Sequence, residues 1–378
     1  MDDSSGKMGQ AELRKKVLDT ELCTGCGACI GLCPYQATYR DQTIQLHQCD
    51  LNTGMCYAFC PRTPSDLDSL RKSFFDPLEA TPEIGPVRAF YICRAADEGN
   101  RSRAQHGGTV TALISLALQE GFIDSAVVSE SAEGFRQQSV TISDPAEVGK
   151  RGKSKLIVSH TVGEFNRISR GGSGKIGVVA TPCQAFALAK MRLKPVEAKD
   201  NNIDKLQLVI GLFCGWALDW RKFTELLKNK TNLNEVTGMD IPPGKKTVEI
   251  YTKNETISLT GEEIDPCIRP ACRYCVDTTA EFSDISVGSA RLPESWSETR
   301  SWNQLIVRTS RGQKLLDLAR RQGILVFREV PEGNLDELKK AAWEKKKLSL
   351  RRLIEKSGSE DNLLYLDHRD PVISRLLC

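Results

Sequence analysis

Cys23, Cys26, Cys29 and Cys33, followed by Pro34, read C-x2-C-x2-C-x3-C-P. Thiolates at that spacing ligate iron–sulfur clusters. The first three wrap a tight loop around one face of a cubane, and Gly25 and Gly27 let the backbone approach its sulfides. Pro34 turns the chain away, so Cys33 is expected to serve a second cluster. Zinc is the rival metal, but its sites usually pair C-x2-C units across a longer gap. The chain carries 14 cysteines, and seven of them lie from Cys23 to Cys60. Disulfide staples fit this density poorly. Residues 1–7 lack the apolar stretch of a secretory signal, and 378 residues can build a core without staples. Metal or redox chemistry is therefore expected.

This segment resembles the two-cluster ferredoxins. Cys49, Cys56 and Cys60-Pro61 occupy the places of a first, third and fourth ligand in its second half. The second cysteine is absent, with Asn52 near its position and one extra residue before Cys56. Ferredoxins of this type exchange fourth ligands, so Cys60 completes a cluster with Cys23, Cys26 and Cys29. The other cluster has Cys33, Cys49 and Cys56 and needs a fourth donor. Asp50, a displaced cysteine such as Cys93, or solvent could supply it, whereas a three-iron cluster needs none. One cluster with spare thiols is the plainer alternative.

Such ligands need a frame. Pro77, Pro82 and Pro86 punctuate a stretch that reads as a linker into a larger domain. Beyond it, strands and helices alternate. Residues 87–93, 125–129, 175–180, 206–213, 284–287, 304–308 and 324–329 read as strands, and 247–252 with 255–259 as a hairpin. Helical spacing marks 109–120, 184–191, 219–228, 312–322 and a basic helix over 335–356, which a polar tail follows. Alternation of this kind predicts an α/β domain with a mixed sheet.

Four features fall at strand ends, where α/β sheets place their ligands. Gln105-His106-Gly107-Gly108-Thr109 opens a helix, and free N–H groups there suit a phosphate, although a plain loop-to-helix turn would look the same. Thr181-Pro182-Cys183 follows one strand and Phe213-Cys214-Gly215 another. The fourth is Cys272-x2-Cys275, preceded by Cys267. Taken singly, Cys183 or Cys214 reads as an inert buried thiol. Together with the C-x2-C pair they make a complete four-thiolate set.

Residues 105–128, 174–191, 210–215 and 269–289, with Asp284-Ile285-Ser286-Val287-Gly288 and Val307-Arg308-Thr309, resemble the beta subunit of the coenzyme F-420-reducing hydrogenase and dehydrogenase family. The resemblance spans roughly residues 87–354, and the ferredoxin-like segment is an extension that many members carry. It implies FAD, a 4Fe–4S cluster, and electron exchange between a two-electron carrier and iron–sulfur partners. Carried over residue by residue, the cluster ligands are Cys183, Cys214, Cys272 and Cys275, with Cys267 in reserve. The flavin or carrier would lie near Gln105, His106, Gly107, Gly108, Thr109, Lys153, Ser154, Lys155, Thr181 and Pro182. Arg151 and Lys175 are further candidates for its pyrophosphate, against the commoner fate of solvated surface cations. Two positions depart from the family. His106 stands where members have Asp or Asn, and Leu156 where many have Tyr.

A formal charge of +3 argues against a nucleic-acid coat. The longest apolar run, residues 206–218, contains Gln207 and is too short to cross a bilayer. His47, His106, His160 and His368 are scattered, so no Ser–His–Asp or paired acid–base signature competes; all but His106 read as structural. Lys339, Lys340, Lys345, Lys346, Lys347, Arg351 and Arg352 read as the solvated face of an amphipathic helix, with docking to an acidic partner or anionic tail as the sharper alternative. The expected architecture is a small ferredoxin-like domain over residues 1–80, a larger α/β domain with a mixed sheet over 81–356, and a tail over 357–378. The expected function is that of a cytoplasmic iron–sulfur flavoprotein subunit without a transmembrane segment. It would pass electrons between a small hydride carrier (deazaflavin coenzyme F-420 or a nicotinamide cofactor) and partner redox subunits, through FAD and two to three clusters. These would be mainly 4Fe–4S, with 3Fe–4S open for one. A flavin-free electron-relay adaptor and a thiol–disulfide reductase using Cys183 or Cys267 are the alternatives.

Overall fold

Runs such as Ile176–Ala180 and Leu206–Leu212 lack polar alternation, the pattern of strands covered on both faces. The computed structural model describes residues 8–377 apart from 133–134, 152–155, 173, 194–195, 197–200 and 243–246. Its strands are β1 (Gln36–Tyr39), β2 (Gln42–Gln45), β3 (Ala89–Ala95), β4 (Ser125–Ala132), β5 (Arg136–Ile142), β6 (Ile176–Ala180) and β7 (Leu206–Leu212). They continue as β8 (Val236–Asp240), β9 (Thr247–Thr252), β10 (Thr256–Thr260), β11 (Ile285–Ser289), β12 (Asn303–Val307) and β13 (Leu325–Arg328). The helices that frame the site are α1 (Leu67–Phe74), α2 (Thr109–Gln119), α3 (Thr161–Ser169), α4 (Pro182–Arg192), α5 (Trp220–Lys228), α6 (Ser310–Arg321), α7 (Asn334–Ser357) and α8 (Pro371–Leu377).

Eight strands form the main sheet in the order β13-β3-β12-β11-β7-β6-β4-β5. The central β11, β7, β6 and β4 are parallel, while β12, β3 and β13 on one side and β5 on the other pair antiparallel. The sheet is therefore mixed, as the alternating pattern predicts. Helices α2 and α6 cover one face, with Leu113, Leu116, Leu315 and Leu316 packed on Cys93, Ile210 and Ile285. The other face receives α3 and α4 through Phe165, Ala185 and Leu188. A three-stranded antiparallel sheet, β8-β9-β10, makes a satellite core with Phe223 and Leu227 of α5. Strand β5 and helix α3 escape the sequence reading. The edge strand Arg-Gln-Gln-Ser-Val-Thr-Ile is mostly polar, and α3 has too few apolar residues to show a stripe.

Two expectations need correction. The proline-punctuated stretch does not isolate the N-terminal segment: Cys26, Ala28, Phe59, Leu67 and Leu70 belong to the same buried cluster as Val178, Phe186 and Leu350. The N-terminal segment buries Leu13, Val17, Leu22 and Tyr57 in a small cluster of its own and the rest of its apolar face in the core of its neighbour. The polar tail also folds inward. Leu363, Tyr365, Leu366 and Ile373 are buried in that cluster, with α8 closing it. No helix among the described residues is long and apolar enough to cross a membrane.

Candidate functional site

All described cysteines are free thiols. Their electrostatic neighbours sort eleven of them into three sets. Cys23, Cys26, Cys29 and Cys60 act on one another: burial, then Cys183, Cys60 and Cys23 push the Cys26 thiol well up, and burial with Cys23, Cys26 and Cys60 does the same to Cys29. Burial lifts Cys60 to about 11 against the pull of Lys190 and Arg62. In the second set, burial raises Cys56 to about 11, with Cys33 and Cys49 adding to the effect. Cys183, Cys214, Cys272 and Cys275 form the third. Burial raises the first three of these. In Cys275 the same burial is outweighed by Lys345 and Arg62, and its thiol is lowered.

The sheet explains the third set. Cys183 follows β6 and Cys214 follows β7, and these two parallel strands are neighbours in register. Pro182 starts α4, and Gln184 Oε1 accepts the Thr181 N–H at 2.8 Å, so the turn that presents Cys183 is fixed. The loop with Cys272 and Cys275 is brought over by backbone bonds: Cys214 N–H donates to Thr278 O (2.8 Å) and Ala217 N–H to Cys272 Sγ (3.3 Å). No three Cys, His, Asp or Glu side chains among the described residues converge on a position for a single metal ion. Thiolates around one zinc would stand about 3.8 Å apart, from bonds of about 2.3 Å. In an iron–sulfur cluster each thiolate takes a different iron, so its ligands need not converge on one position. The donor chemistry therefore fits iron–sulfur clusters.

Buried and half-buried cations flank the first and third sets. Lys345 Nζ donates to Cys214 O (2.9 Å) and Asp277 O (2.8 Å), and Lys346 Nζ to Val276 O (2.8 Å) and the Glu281 carboxylate. Lys346 and Glu281 are only 3% and 5% exposed. The basic helix α7 is thus not a uniformly solvated face, because these two lysines turn inward to cap backbone carbonyls of the cysteine loops. Arg62 donates to Ala271 O (3.1 Å) and Tyr274 O (3.3 Å) and lies over the Tyr365 ring at 4.4 Å. Burial would lower its pKa, but Tyr365 and the thiols of Cys275, Cys183 and Cys272 outweigh that and raise it. Lys190 donates to Cys60 O (2.7 Å) and Thr63 Oγ1 (2.8 Å); burial lowers it to about 8, opposed by Cys60 and Cys26.

Further contacts fasten the N-terminal loop to the sheet. Arg269 Nη1 donates to Asp41 Oδ2 at 2.6 Å, and Asn166 Nδ2 to Ile30 O at 2.7 Å. The His160 ring spans Gly25 O (2.8 Å) and Arg40 O (3.1 Å). Burial lowers the His160 pKa even though both carbonyls favour its charged form. Gly25 and Gly27 have φ of +72° and +86°. A Cβ on Gly27 would stand 2.8 Å from Gly163 N, so this glycine is needed for close approach to α3 as well as for the loop itself.

The candidate flavin residues divide. Lys153, Ser154 and Lys155 lie outside the described residues. Gly108, at φ +74°, starts α2, but Asn303 Oδ1 accepts the Thr109 N–H at 3.4 Å and so takes one of the donors expected to face a phosphate. Gln105 Nε2 donates to Met239 O (3.3 Å), and His106 lies 3.8 Å from Asp240 and edge-on to Trp296. Burial lowers the His106 pKa, partly opposed by Asp240. Arg151 pairs with Glu130, and Lys175 Nζ donates to Gly121 O (3.0 Å). Thr181 and Pro182 form the turn into α4 beside Cys183, whereas the Gln105 loop bonds to β8. A cavity of about 30 Å³ lined by Pro182, Cys183, Arg62 and Tyr365 is far too small for a flavin. Cys93 is buried in the main sheet beside Thr109, which removes it as a fourth donor for the second set. Cys267 is buried in the satellite core, its Sγ 3.8 Å from Glu263 O, and it joins none of the sets. Arg62, Lys190, Asp41, Arg269 and His160 escape the sequence reading as site residues. Only the position of Arg62, two residues after Cys60, could have flagged one of them.

Comparison with known proteins gives matches to two family models, the N-terminal part (residues 90–163) and C-terminal part (residues 173–333) of the coenzyme F420 hydrogenase/dehydrogenase beta subunit. Together they cover more than half of the chain. A 4Fe-4S binding domain model matches residues 16–38. The chain is 28% identical over 341 residues to a coenzyme F420-dependent sulfite reductase of Methanocaldococcus jannaschii, covering 86% of this chain and 49% of that protein, about half its length. It is 29% identical over 253 residues to a coenzyme F420 hydrogenase subunit beta of Methanothermobacter thermautotrophicus (66% of this chain, 87% of the relative). It is also 27% identical over 338 residues to an F(420)H(2) dehydrogenase subunit of Methanosarcina mazei (85% and 88%). A chain of the F420-reducing [NiFe] hydrogenase complex from Methanosarcina barkeri shares the fold, with a TM-score of 0.67 at 24% identity over 73% of this chain and 94% of that one.

Proposed function

The chain belongs to the coenzyme F420 hydrogenase/dehydrogenase beta-subunit family of oxidoreductases, and we propose that it is an iron–sulfur flavoprotein subunit exchanging electrons between a hydride carrier and a partner redox protein. The observation that carries this reading is the placement of Cys183 and Cys214 at the ends of neighbouring parallel strands, with the Cys272–Cys275 loop hydrogen-bonded to the Cys214 turn. In this reading Cys23, Cys26, Cys29 and Cys60 hold one 4Fe–4S cluster, and Cys183, Cys214, Cys272 and Cys275 another. Cys33, Cys49 and Cys56 hold a third of three or four irons. When bound, FAD and the clusters would supply the conversion of an electron pair into single electrons. The protein's own part is positional: β6 and β7 present two thiolates, while Lys345, Ser349 and Tyr365 hold the loop that presents the other two through its carbonyls. Deazaflavin F420 is the proposed carrier, and the N-terminal segment and α/β region are proposed to work as one folded unit.

The test is anaerobic purification with iron and FAD quantified per chain, for the wild type and Cys272→Ala. The wild type should carry about one FAD and eleven to twelve irons, by the cluster chemistry above. Cys272→Ala should lose about four irons, keep the N-terminal cluster signals, and fail to reduce a one-electron acceptor from reduced F420. Full iron content in Cys272→Ala would overturn the third set. One observation favours a second reading, a flavin-free relay: Asn303 occupies a donor of the α2 N-terminus, and His106 packs on Asp240 and Trp296. Iron without FAD in the wild type would establish that alternative.

A further inference from the structure

Two cations lie between the first and third thiol sets with no carboxylate to balance them. Arg62 and Lys190 are 4% and 7% exposed. Among the described residues, the hydrogen-bond acceptors of Arg62 are the carbonyls of Ala271 and Tyr274, and those of Lys190 are Cys60 O, Thr63 O and Thr63 Oγ1. Neither makes an ion pair there, and Arg62 Nε is buried without a partner. A buried charge is costly unless an opposite charge answers it. The nearby groups that can become anionic are the thiols of Cys60 and Cys26 around Lys190, and of Cys275, Cys183 and Cys272 beside Tyr365 around Arg62.

Their reach is reciprocal. Arg62 follows Cys60 in the first set and bonds to the loop that carries Cys272 and Cys275. Lys190 lies on α4, whose first turn carries Cys183, and bonds back to the carbonyl of Cys60. Cys26 and Cys183 also sense each other directly across this boundary. We propose that Lys190 and Arg62 are positioning residues for electron exchange between the first and third clusters, holding the two sets together and favouring their reduced states by buried positive charge. This rests on the ligand sets proposed above. In each exchange one electron leaves one cluster, which is oxidised, and reduces the other. No bond forms or breaks and no proton moves, and two such steps consume the electron pair of one hydride. Reduction adds a negative charge, and cluster potential follows local charge and hydrogen bonding.

The experiment is a dithionite titration of the anaerobic full-length holoprotein, monitored by EPR, on Lys190→Met and Arg62→Gln with Lys190→Arg and Arg62→Lys as charge-retaining controls. At the wild-type midpoint, Lys190→Met should lower the reduced-to-oxidised ratio of the first cluster about tenfold, a shift of about 59 mV for one electron. Arg62→Gln should do the same to the third cluster. The charge-retaining variants should stay within about threefold, as should the Cys33 cluster in every variant, since neither cation contacts it. Unchanged ratios in both neutral variants, with iron retained, overturn the proposal. If a neutral variant loses iron, the other decides. If both do, the fully reduced wild type decides: spin coupling between two neighbouring clusters supports the proposal, and independent signals overturn it. A wild type without iron would instead overturn the cluster reading itself.

Discussion

Asp41→Asn should destabilise the whole protein, although Asp41 lies in a short turn of the N-terminal segment. Its carboxylate is 2% exposed and receives the Arg269 guanidinium at 2.6 Å, the Trp220 N–H at 3.1 Å and Arg221 at 3.6 Å. At that distance and an effective dielectric of about 20, the Asp41–Arg269 attraction is about 6 kcal/mol. Desolvation offsets much of it in the intact pair, but removing one partner leaves Arg269 buried and uncompensated, at a cost of about 3–5 kcal/mol. That is roughly two to four powers of ten in the unfolding constant. The assay is anaerobic urea unfolding of the iron-loaded protein, with tryptophan emission as the signal, since Trp220 abuts Asp41. Because Arg269 also bonds to Cys23 O, the first cluster should be lost in the same transition. Pairing Asp41→Leu with Arg269→Met should recover about half the loss, because two matched apolar residues leave no orphan charge. A cost below about 1 kcal/mol for Asp41→Asn, or no recovery in the double variant, would refute the reasoning.

Other outcomes follow from the same geometry. Cys56→Ala should lower iron by about three to four per chain and remove any three-iron EPR signal of the oxidised protein, and unchanged iron would mean that the second set binds no cluster. Gly108→Ala forces a side chain into φ +74°, with its Cβ 3.2 Å from the backbone of Asn100; it should cost about 1–2 kcal/mol in thermal unfolding and lower FAD content while sparing iron. Burial lowers the His106 pKa and so favours its neutral form in the folded state. Its contribution to stability should be complete above its unfolded pKa of about 6.5 and fade as pH falls through the lower folded value. Relative to His106→Gln, the wild type should therefore lose stability as pH falls below about 6.5, and a gain in stability on that side would contradict the assignment.

Much of the sheet is legible because its inner strands are buried on both faces and its strands read as short apolar runs. β6, β7, β11, β12 and β13 fall within two residues of their expected places. The placement of Cys183 and Cys214 at the ends of neighbouring strands follows from the same runs. Orientation is what the sequence hides. Lys345 and Lys346 look like any other charges on a basic helix until three backbone carbonyls near the cysteine loops are seen to need donors. Residues 357–378 look polar because Leu363, Tyr365, Leu366 and Ile373 are spread among charges, and only the space beside Phe186 and Leu350 shows why they turn inward. Asp41 and Arg269 are separated by 228 residues, and nothing local marks either as the other's partner. Long-range pairing of this sort is fixed by tertiary packing, which periodicity does not report.

The shared apolar cluster also fixes an order of events during synthesis. Cys26, Phe59 and Leu70 leave the ribosome long before Leu350 and Tyr365, which share their buried cluster in the finished protein. At translation rates of 5–20 residues per second, that wait is roughly 15 to 60 s. Through that interval the Cys26, Phe59 and Leu70 side of the nascent N-terminal segment lacks those partners. In the proposed reading, iron for the first set would arrive late, once α4 and α7 are made, or come from a carrier that shields the segment meanwhile. Ribosome-bound chains halted before Leu350 should accordingly hold less iron in the first set than full-length chains do, and should aggregate on release.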